Sequence, residues 1–185
     1  MTADPADDLL DRAAAAALAL VADRSWTSVS LADIAARAGV SLADLYARAH
    51  SKRGVIDWLS GRFDLAALKN GHGESDPHDR LFDAVMRRIE AMEPHRAALI
   101  AIGEADGALS VMARLPKTAR ALLEGAGIDT SGKRGIARIV AMTAVWARVL
   151  QVWRADEGAL NRTMAEIDRR LKEMRRSLDR VGAGF

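Results

Sequence analysis

Hydrophobic residues recur every three or four positions along most of the chain, and no long segment alternates with the period of two that marks a half-buried strand. The pattern predicts an all-α protein of about nine helices with no sheet. The first helix is predicted to begin at the cap residue Asp4, with Pro5 in its first turn. Its hydrophobic stripe consists of Leu9, Ala13, Ala17, Leu20 and Val21.

Two short helices are predicted between residues 30 and 48, and each begins with the same signal. Ser30 is followed three residues later by Asp33, and Ser41 by Asp44. A serine with an acid at this spacing is typical of a capping box, in which each side chain bonds the other residue's backbone. The sequence therefore favours an Asp44 that turns back to the Ser41 amide and stays close to its own helix over one whose charge points outwards and repels a negatively charged partner.

The residues between the two helices are those of a helix-turn-helix. Ala35 is the small residue needed where the helices cross, and Gly39 supplies the positive φ needed at the turn. The small core between the helices is predicted to consist of Ile34, Val40 and Leu45.

The clearest break in the sequence lies at residues 70–79, where glycine, proline and charged residues replace hydrophobic ones. Beyond it, Asp76 and Pro77 open a new helix, Pro94 separates the next one, and Pro116 predicts a kink or a break in a third. Two long helices close the chain. The predicted domains are a three-helix head (1–51), a connector helix and linker (52–75), and a helical-bundle body (76–185).

Composition narrows the class of protein further. The 185 residues are 50% hydrophobic and include no cysteine, which excludes disulfides and thiolate metal sites. The acidic N-terminus lacks the order of a secretory signal, and no uninterrupted apolar run approaches the roughly 20 residues that span a bilayer. We expect a cytoplasmic protein with no membrane insertion. The net charge of +2 is spread along the chain and indicates no particular partner.

The sequence offers no familiar catalytic motif. It contains no Gly-x-Ser-x-Gly elbow, no His-Glu-x-x-His and no phosphate loop, so we expect no enzyme activity, catalytic residue or cofactor. His72, Glu74, Asp76 and His78 lie close together and could hold a metal. Their irregular spacing on a glycine-rich segment favours a solvated hinge without a metal.

The segment TSVSLADIAARAGVSLADLYARAHSK (27–52) resembles the DNA-binding head of the TetR family of bacterial regulators, and the resemblance extends over about residues 9–60. It implies that residues 41–48 form the recognition helix of a homodimeric repressor. The implied partners are an operator in double-stranded DNA, a second copy of the chain and a small apolar ligand. The implied DNA-contacting residues are Thr27, Ser41, Leu42, Ala43, Tyr46, His50 and Lys52.

The charge of the head limits the strength of the expected DNA binding. Residues 1–60 hold six basic and eight acidic side chains, whereas residues 37–53 hold four basic side chains against Asp44 alone. Fields act over a Debye length of about 8 Å at physiological salt, so the nearest charges dominate. We therefore expect weak and steeply salt-dependent binding.

The body supports a further resemblance and two predicted surfaces. Residues 80–99 and 163–171 are similar to the TetR-fold lipid-binding proteins of ubiquinone biosynthesis, which implies an alternative function as a lipid or isoprenoid binder acting through partner proteins without DNA. The candidate ligand pocket consists of Met86, Ile89, Met112, Met142, Trp146 and Trp153, for which ordinary core packing is the alternative. The candidate dimer interface consists of Ala147, Leu150, Met164, Ile167, Leu171 and Met174.

Overall fold

The computed structural model describes residues 5–69, 76–156 and 158–185, and these residues form helices and no strand. The predicted all-α class is confirmed, and the described residues include the expected nine α-helices. The predicted cap Asp4 lies outside the described residues, as do His72 and Glu74. The helices are α1 (Pro5–Asp23), α2 (Leu31–Ala38), α3 (Leu42–Ala49), α4 (Lys52–Ala67), α5 (Pro77–Met92), α6 (Arg96–Asp106), α7 (Ala108–Gly125), α8 (Gly132–Ala155) and α9 (Asn161–Arg180).

Two 3-10 turns supplement the α-helices, η1 (Trp26–Ser28) and η2 (Glu93–His95). The predicted start of α5 is confirmed, because the Asp76 carboxylate accepts a hydrogen bond from the His78 amide at 2.8 Å and Pro77 occupies the first turn. Pro116 does not break its helix. It lies inside α7, which runs through it, so of the two predicted alternatives the break is wrong and the kink stays a prediction.

The chain divides into two compact units. The first unit is Met1–Arg62 with His95–Val111, and the second is Phe63–Pro94 with Met112–Phe185. The first unit thus contains α6 in addition to α1, α2 and α3, although some 45 residues of sequence separate α6 from α3. The domain bounds at 51 and 75 stay a prediction.

The core of the first unit forms where α1 packs against α2, α3 and α6. Ala13 and Ala17 of α1 have no exposed surface, and their small side chains allow neighbouring helices to approach closely. The other buried side chains of this core include Leu9, Leu20, Trp26, Ile34, Leu45, Val55 and Ile102.

The second unit is organised around α9, which packs against both α8 and α5. Its buried side chains include Leu81, Val85, Ile89, Leu122, Met142, Trp146, Trp153 and Ile167. By length and composition alone α8 meets the criterion for a membrane span, a criterion that core helices of soluble proteins also meet. Only 33% of its apolar window is buried, because one face carries the exposed side chains Ile136 and Val140.

Candidate nucleic-acid interface

The turn between α2 and α3 has the geometry that the sequence predicts. Gly39 ends α2 in the left-handed conformation, with φ of 64°. The Val40 amide then donates to the Ala35 carbonyl at 3.0 Å and the Gly39 amide to the Ala36 carbonyl at 3.2 Å, and these bonds close the end of the helix. Ala35 is buried at the crossing of the helices, beside Ile34 and Leu45, whereas Val40 is only half-buried.

Ser30 begins α2 with the complete predicted capping box. The Asp33 amide donates to the Ser30 hydroxyl at 3.1 Å, and the Ser30 amide donates to the Asp33 carboxylate at 2.8 Å. The hydrogen bonds from the Ser30 hydroxyl and amide, together with one from Arg24, hold the pKa of Asp33 at about 2. The carboxylate therefore stays ionised at the positive end of the helix dipole.

Asp44 is turned back onto the start of α3, as predicted, but its partner differs from the predicted one. The Ser41 hydroxyl donates to the Asp44 carboxylate at 2.6 Å and accepts from the Asp44 amide at 3.0 Å. The predicted partner was the Ser41 amide. Arg48, one turn later, donates to the Asp44 carbonyl at 2.9 Å. The negative charge is thus held by the cap, although the side chain remains 64% exposed.

The outer face of α3 is open to solvent and carries two large side chains. Leu42 is 47% exposed and Tyr46 is 58% exposed, whereas Leu45, on the opposite face, is fully buried. The Tyr46 ring meets His50 edge to face, with 5.8 Å between the ring centroids. Ala43 is also exposed, so the first turn offers base edges apolar contact and no bidentate hydrogen bonding.

Lys52 holds the turn η1, a role that the sequence did not indicate. Its ammonium donates to the carbonyls of Trp26 and Val29, both at 2.7 Å, and lies 4.8 Å from the centre of the Trp26 ring. Thr27, a predicted DNA contact, is exposed on the same turn. Two of the three ammonium protons are therefore used inside the protein, and one remains for an external acceptor.

Most arginines near α3 are paired with carboxylates. The guanidinium of Arg24 lies 3.0 Å from the Asp33 carboxylate, and the guanidinium of Arg53 lies 3.7 Å from the Asp106 carboxylate. Arg37 forms no salt bridge within the described part of the chain. The positive charge expected around α3 is thus partly neutralised by neighbouring acids, which supports the expectation of weak binding to a polyanion.

Comparison with known families identifies this arrangement. Residues 14–57, from α1 into α4, match the family described as bacterial regulatory proteins, tetR family. The matched segment contains α2, the Gly39 turn and α3, so this part of the chain is similar to that family. No curated protein gives a significant match to the sequence. The sequence resemblance over residues 27–52 is confirmed by this family match.

Solved structures show that the whole chain has the fold of TetR regulators. A TetR transcriptional regulator from Rhodococcus sp. RHA1 is similar with a TM-score of 0.67 and 16% identity, over 90% of this chain and 95% of that one. The TetR transcriptional regulator from Nitrosomonas europaea ATCC 19718 gives a TM-score of 0.66 and 22% identity, over 92% and 98%. The likeness therefore extends beyond the tetR-family head to the body.

The body residues predicted to line a ligand pocket do not share one environment. Trp146 is buried beneath the guanidinium of Arg88, which lies 4.7 Å from the centre of its ring. Met112 is 60% exposed in the single chain, and its place in a ligand pocket stays a prediction. Met86 is half-buried, and the remaining predicted residues, Ile89, Met142 and Trp153, are core side chains.

The residues of the predicted dimer interface differ in their exposure in the single chain, and the interface stays a prediction. Ile167, Leu171 and Met174 are at most 4% exposed in the single chain, because α9 turns them towards α8 and α5. Ala147 and Met164 are exposed and Leu150 is half-buried.

A cleft of about 540 Å³ opens in the first unit, between the end of α1 and α6. Its position was not predicted, since the elements that form it lie far apart in the sequence. Its lining consists of Val21, Ala22, Asp23, Arg24, Ser25, Trp26, Ala101, Glu104 and Ala105.

Of the residues weighed as a metal site, the structure describes Asp76 and His78. The Nδ1 atom of His78 lies 3.3 Å from the Asp79 carboxylate, and its Nε2 atom lies 3.7 Å from the carboxylate of Asp168 in α9. Within residues 5–69, 76–156 and 158–185, no group of three or more potential ligands is arranged to hold a metal ion.

Proposed function

We propose that this protein is a DNA-binding transcriptional regulator that places α3 in the major groove. The observation that carries the proposal is the outward face of α3, where Leu42 and Tyr46 are exposed behind the Gly39 turn. A helix supported on its inner face and open on its outer face is the part of a helix-turn-helix that enters a groove. The tetR-family match over residues 14–57 supports the same function.

The contacts divide into those that position the protein and those that distinguish bases. Hydroxyls at Thr27 and Tyr46, the Ser41 end of α3 and the remaining donor of Lys52 are suited to phosphates. Leu42 and Ala43 are suited to the methyl group of thymine. Because these two side chains offer no hydrogen bonds to bases, His50 and the shape of the DNA supply the remaining specificity.

The regulator acts as a homodimer through α8 and α9. Ile136, Val140 and Ala147 are exposed along one face of α8, and Met164 of α9 is 41% exposed. An apolar helix face of this kind is unfavourable in water and is buried when a second copy supplies the same face. The dimer then fixes the distance between two recognition helices and hence the spacing of half-sites in the operator.

The regulator is a cytoplasmic repressor, and a small apolar ligand bound in the body releases it from the operator. Trp146, Trp153 and Met142 are the side chains around which a pocket would open, since they are among the largest fully buried apolar side chains of the second unit. Release requires the ligand to bind the DNA-competent and DNA-incompetent conformations with different affinities.

A second candidate function is that of a TetR-fold lipid or isoprenoid binder that acts through partner proteins without DNA. It is favoured by the charges of the head, where Asp44 is exposed on α3 and the Lys52 ammonium is mostly occupied. This candidate predicts an apolar molecule that purifies with the protein, and no DNA binding.

A gel-shift titration with the DNA upstream of the protein's own gene separates the two candidates. It is carried out at 50 and 200 mM salt with wild type and with Asp44→Thr. Binding by wild type at low salt, lost steeply at high salt, supports the regulator. If only Asp44→Thr binds, the charge of Asp44 prevents the wild-type protein from binding DNA. If neither protein binds at low salt, the regulator proposal fails.

A further inference from the structure

Asp106 is the last residue of α6, and its side chain is buried against the head. Only 3% of the side chain is exposed. Its carboxylate accepts a hydrogen bond from the indole nitrogen of Trp26 at 2.8 Å and lies 3.7 Å from the guanidinium of Arg53. All three residues belong to the first unit, although Asp106 lies 80 residues from Trp26 in the sequence.

Trp26 links this carboxylate to the surface proposed to contact DNA. It is the first residue of η1, is 2% exposed, and directly precedes Thr27. Its backbone carbonyl accepts from the ammonium of Lys52, which also lies over its ring. One tryptophan therefore contacts Asp106 through its side chain and Lys52 through its backbone and ring.

The turn η1 depends on these tertiary contacts for its position. It is only three residues long, and its cap residue Ser25 makes no side-chain capping bond. Short 3-10 turns have poor hydrogen-bond geometry and little stability of their own. Local bonds fix the shape of the turn, since the Thr27 and Ser25 hydroxyls hydrogen-bond at 2.9 Å and the Ser28 hydroxyl donates to the Ser25 carbonyl at 2.8 Å. The tethers of Trp26 to Asp106 and to Lys52 hold the turn, and with it Thr27, in place against the rest of the first unit.

We propose that Asp106 is a positioning residue for DNA binding, which holds η1 and Arg53 in the arrangement that Thr27 and Lys52 need to contact phosphates. This inference rests on the proposed DNA-binding function. It assigns a part in the interface to α6, outside the residues that match the tetR-family head. If the C-terminal end of α6 moved, the hydrogen bond from the Trp26 indole to Asp106 would move Trp26 and the turn η1 with it.

Because Asp106 is acidic, the electrostatic effect of removing it and the effect of losing its positioning role on DNA binding have opposite signs. Removing an acidic side chain lowers the negative charge of the head, which by electrostatics alone strengthens binding to DNA. Loss of positioning has the opposite effect. We expect Asp106→Leu to weaken DNA binding about tenfold at low salt, a difference equivalent to about 1.4 kcal/mol.

The full-length chain is compared with Asp106→Leu, Asp106→Asn and Trp26→Phe, at a temperature where circular dichroism shows each variant to be folded. Asn keeps an oxygen that accepts from the indole, so Asp106→Asn is expected to retain most of the affinity. Trp26→Phe removes the donor and is expected to weaken binding as Asp106→Leu does. Asp8→Leu, which removes one acid that is 61% exposed on α1 of the same unit, is the matched control and is expected to bind at least as well as wild type.

An NMR measurement of the indole N–H resonances tests the contact independently of DNA. The Trp26 resonance is identified by its loss in Trp26→Phe, and we expect it to shift in Asp106→Leu and to stay close to its position in Asp106→Asn. If wild type binds DNA and Asp106→Leu binds equally well, the positioning role is wrong while the regulator proposal stands. An unshifted resonance in Asp106→Leu overturns the contact itself, and failure of wild type to bind overturns the regulator proposal first.

Discussion

The guanidinium of Arg88 donates to the Asp64 carboxylate at 2.7 Å, and both side chains are almost fully buried in the second unit. Thr118 donates to the same carboxylate oxygen at 3.1 Å, and Arg88 also lies over the ring of Trp146. Burial lowers the pKa of Arg88, an effect that the charge of Asp64 and their hydrogen bond oppose. The pair thus joins the last turns of α4 to three helices of the body, namely α5, α7 and α8.

Replacing only one member of this pair leaves the other charge buried without a partner. We expect Arg88→Met to lower the free energy of unfolding by about 3–5 kcal/mol, because the Asp64 carboxylate loses its counter-charge. The double variant Asp64→Asn/Arg88→Met is the control and is expected to lose less. Urea denaturation measures both, and a double variant as unstable as the single one would contradict this account of the pair.

Acid is expected to weaken the contact between α8 and α9 at Glu166. Burial raises the pKa of this carboxyl, but hydrogen bonds from Arg169, Arg170 and Arg148 outweigh it and hold the pKa at about 2, below the usual 4.5. A carboxyl with a lowered pKa stabilises the fold fully above about 4.5, and this contribution is lost as the pH falls towards about 2.

The matching experiment compares wild type with Glu166→Gln by urea denaturation at a series of pH values between 7 and 2.5. The free energy of unfolding of wild type is expected to exceed that of the variant at neutral pH, and the gap is expected to narrow below pH 4.5. A gap of constant size across the series would show that the three arginines do not act through the ionised carboxylate.

Lys52 is expected to contribute to stability as well as to DNA binding. Lys52→Met keeps the apolar stem but removes the donor to the Trp26 and Val29 carbonyls, so the free energy of unfolding is expected to fall by about 2 kcal/mol. If its third donor contacts a phosphate, the slope of log K against log salt also falls by about 0.9 for each copy of the chain bound to the DNA. Arg37→Met, which removes an exposed cation of the head, is the control for stability.

These two measurements separate the roles of Lys52. Lower stability with an unchanged salt slope would restrict Lys52 to holding η1 and remove it from the set of phosphate contacts. A change in slope without any loss of stability would show that the bonds to Trp26 and Val29 do not contribute to the fold.

The exposed face of α8 is expected to hold two copies of the chain together. Ile136→Arg places a charge on this face and is expected to shift sedimentation from dimer to monomer and to weaken DNA binding, since the two recognition helices lose their fixed spacing. Leu109→Arg alters a leucine that is 84% exposed on α7 and is expected to leave the dimer intact. Dimers of unchanged stability in Ile136→Arg would place the interface elsewhere.

The sequence alone determined the features that depend on residues within about one helical turn of each other. The helical period, the Ser30 cap with Asp33, the start of α5 at Pro77 and the positive φ at Gly39 are all confirmed, because each is set by the backbone and by neighbouring side chains. For the same reason the head could be recognised from a short continuous segment.

Only the tertiary structure decided which apolar faces are covered and which charges meet. The sequence placed apolar residues at regular spacings along α8 and α9, but it could not show that Ile167 faces the core while Ile136 faces solvent. The contacts of Trp26 with Lys52 and Asp106 join residues 26 and 80 positions apart. A periodic pattern shows that one face of a helix is apolar. It does not show which helix covers that face, because this depends on how helices distant in the sequence pack together.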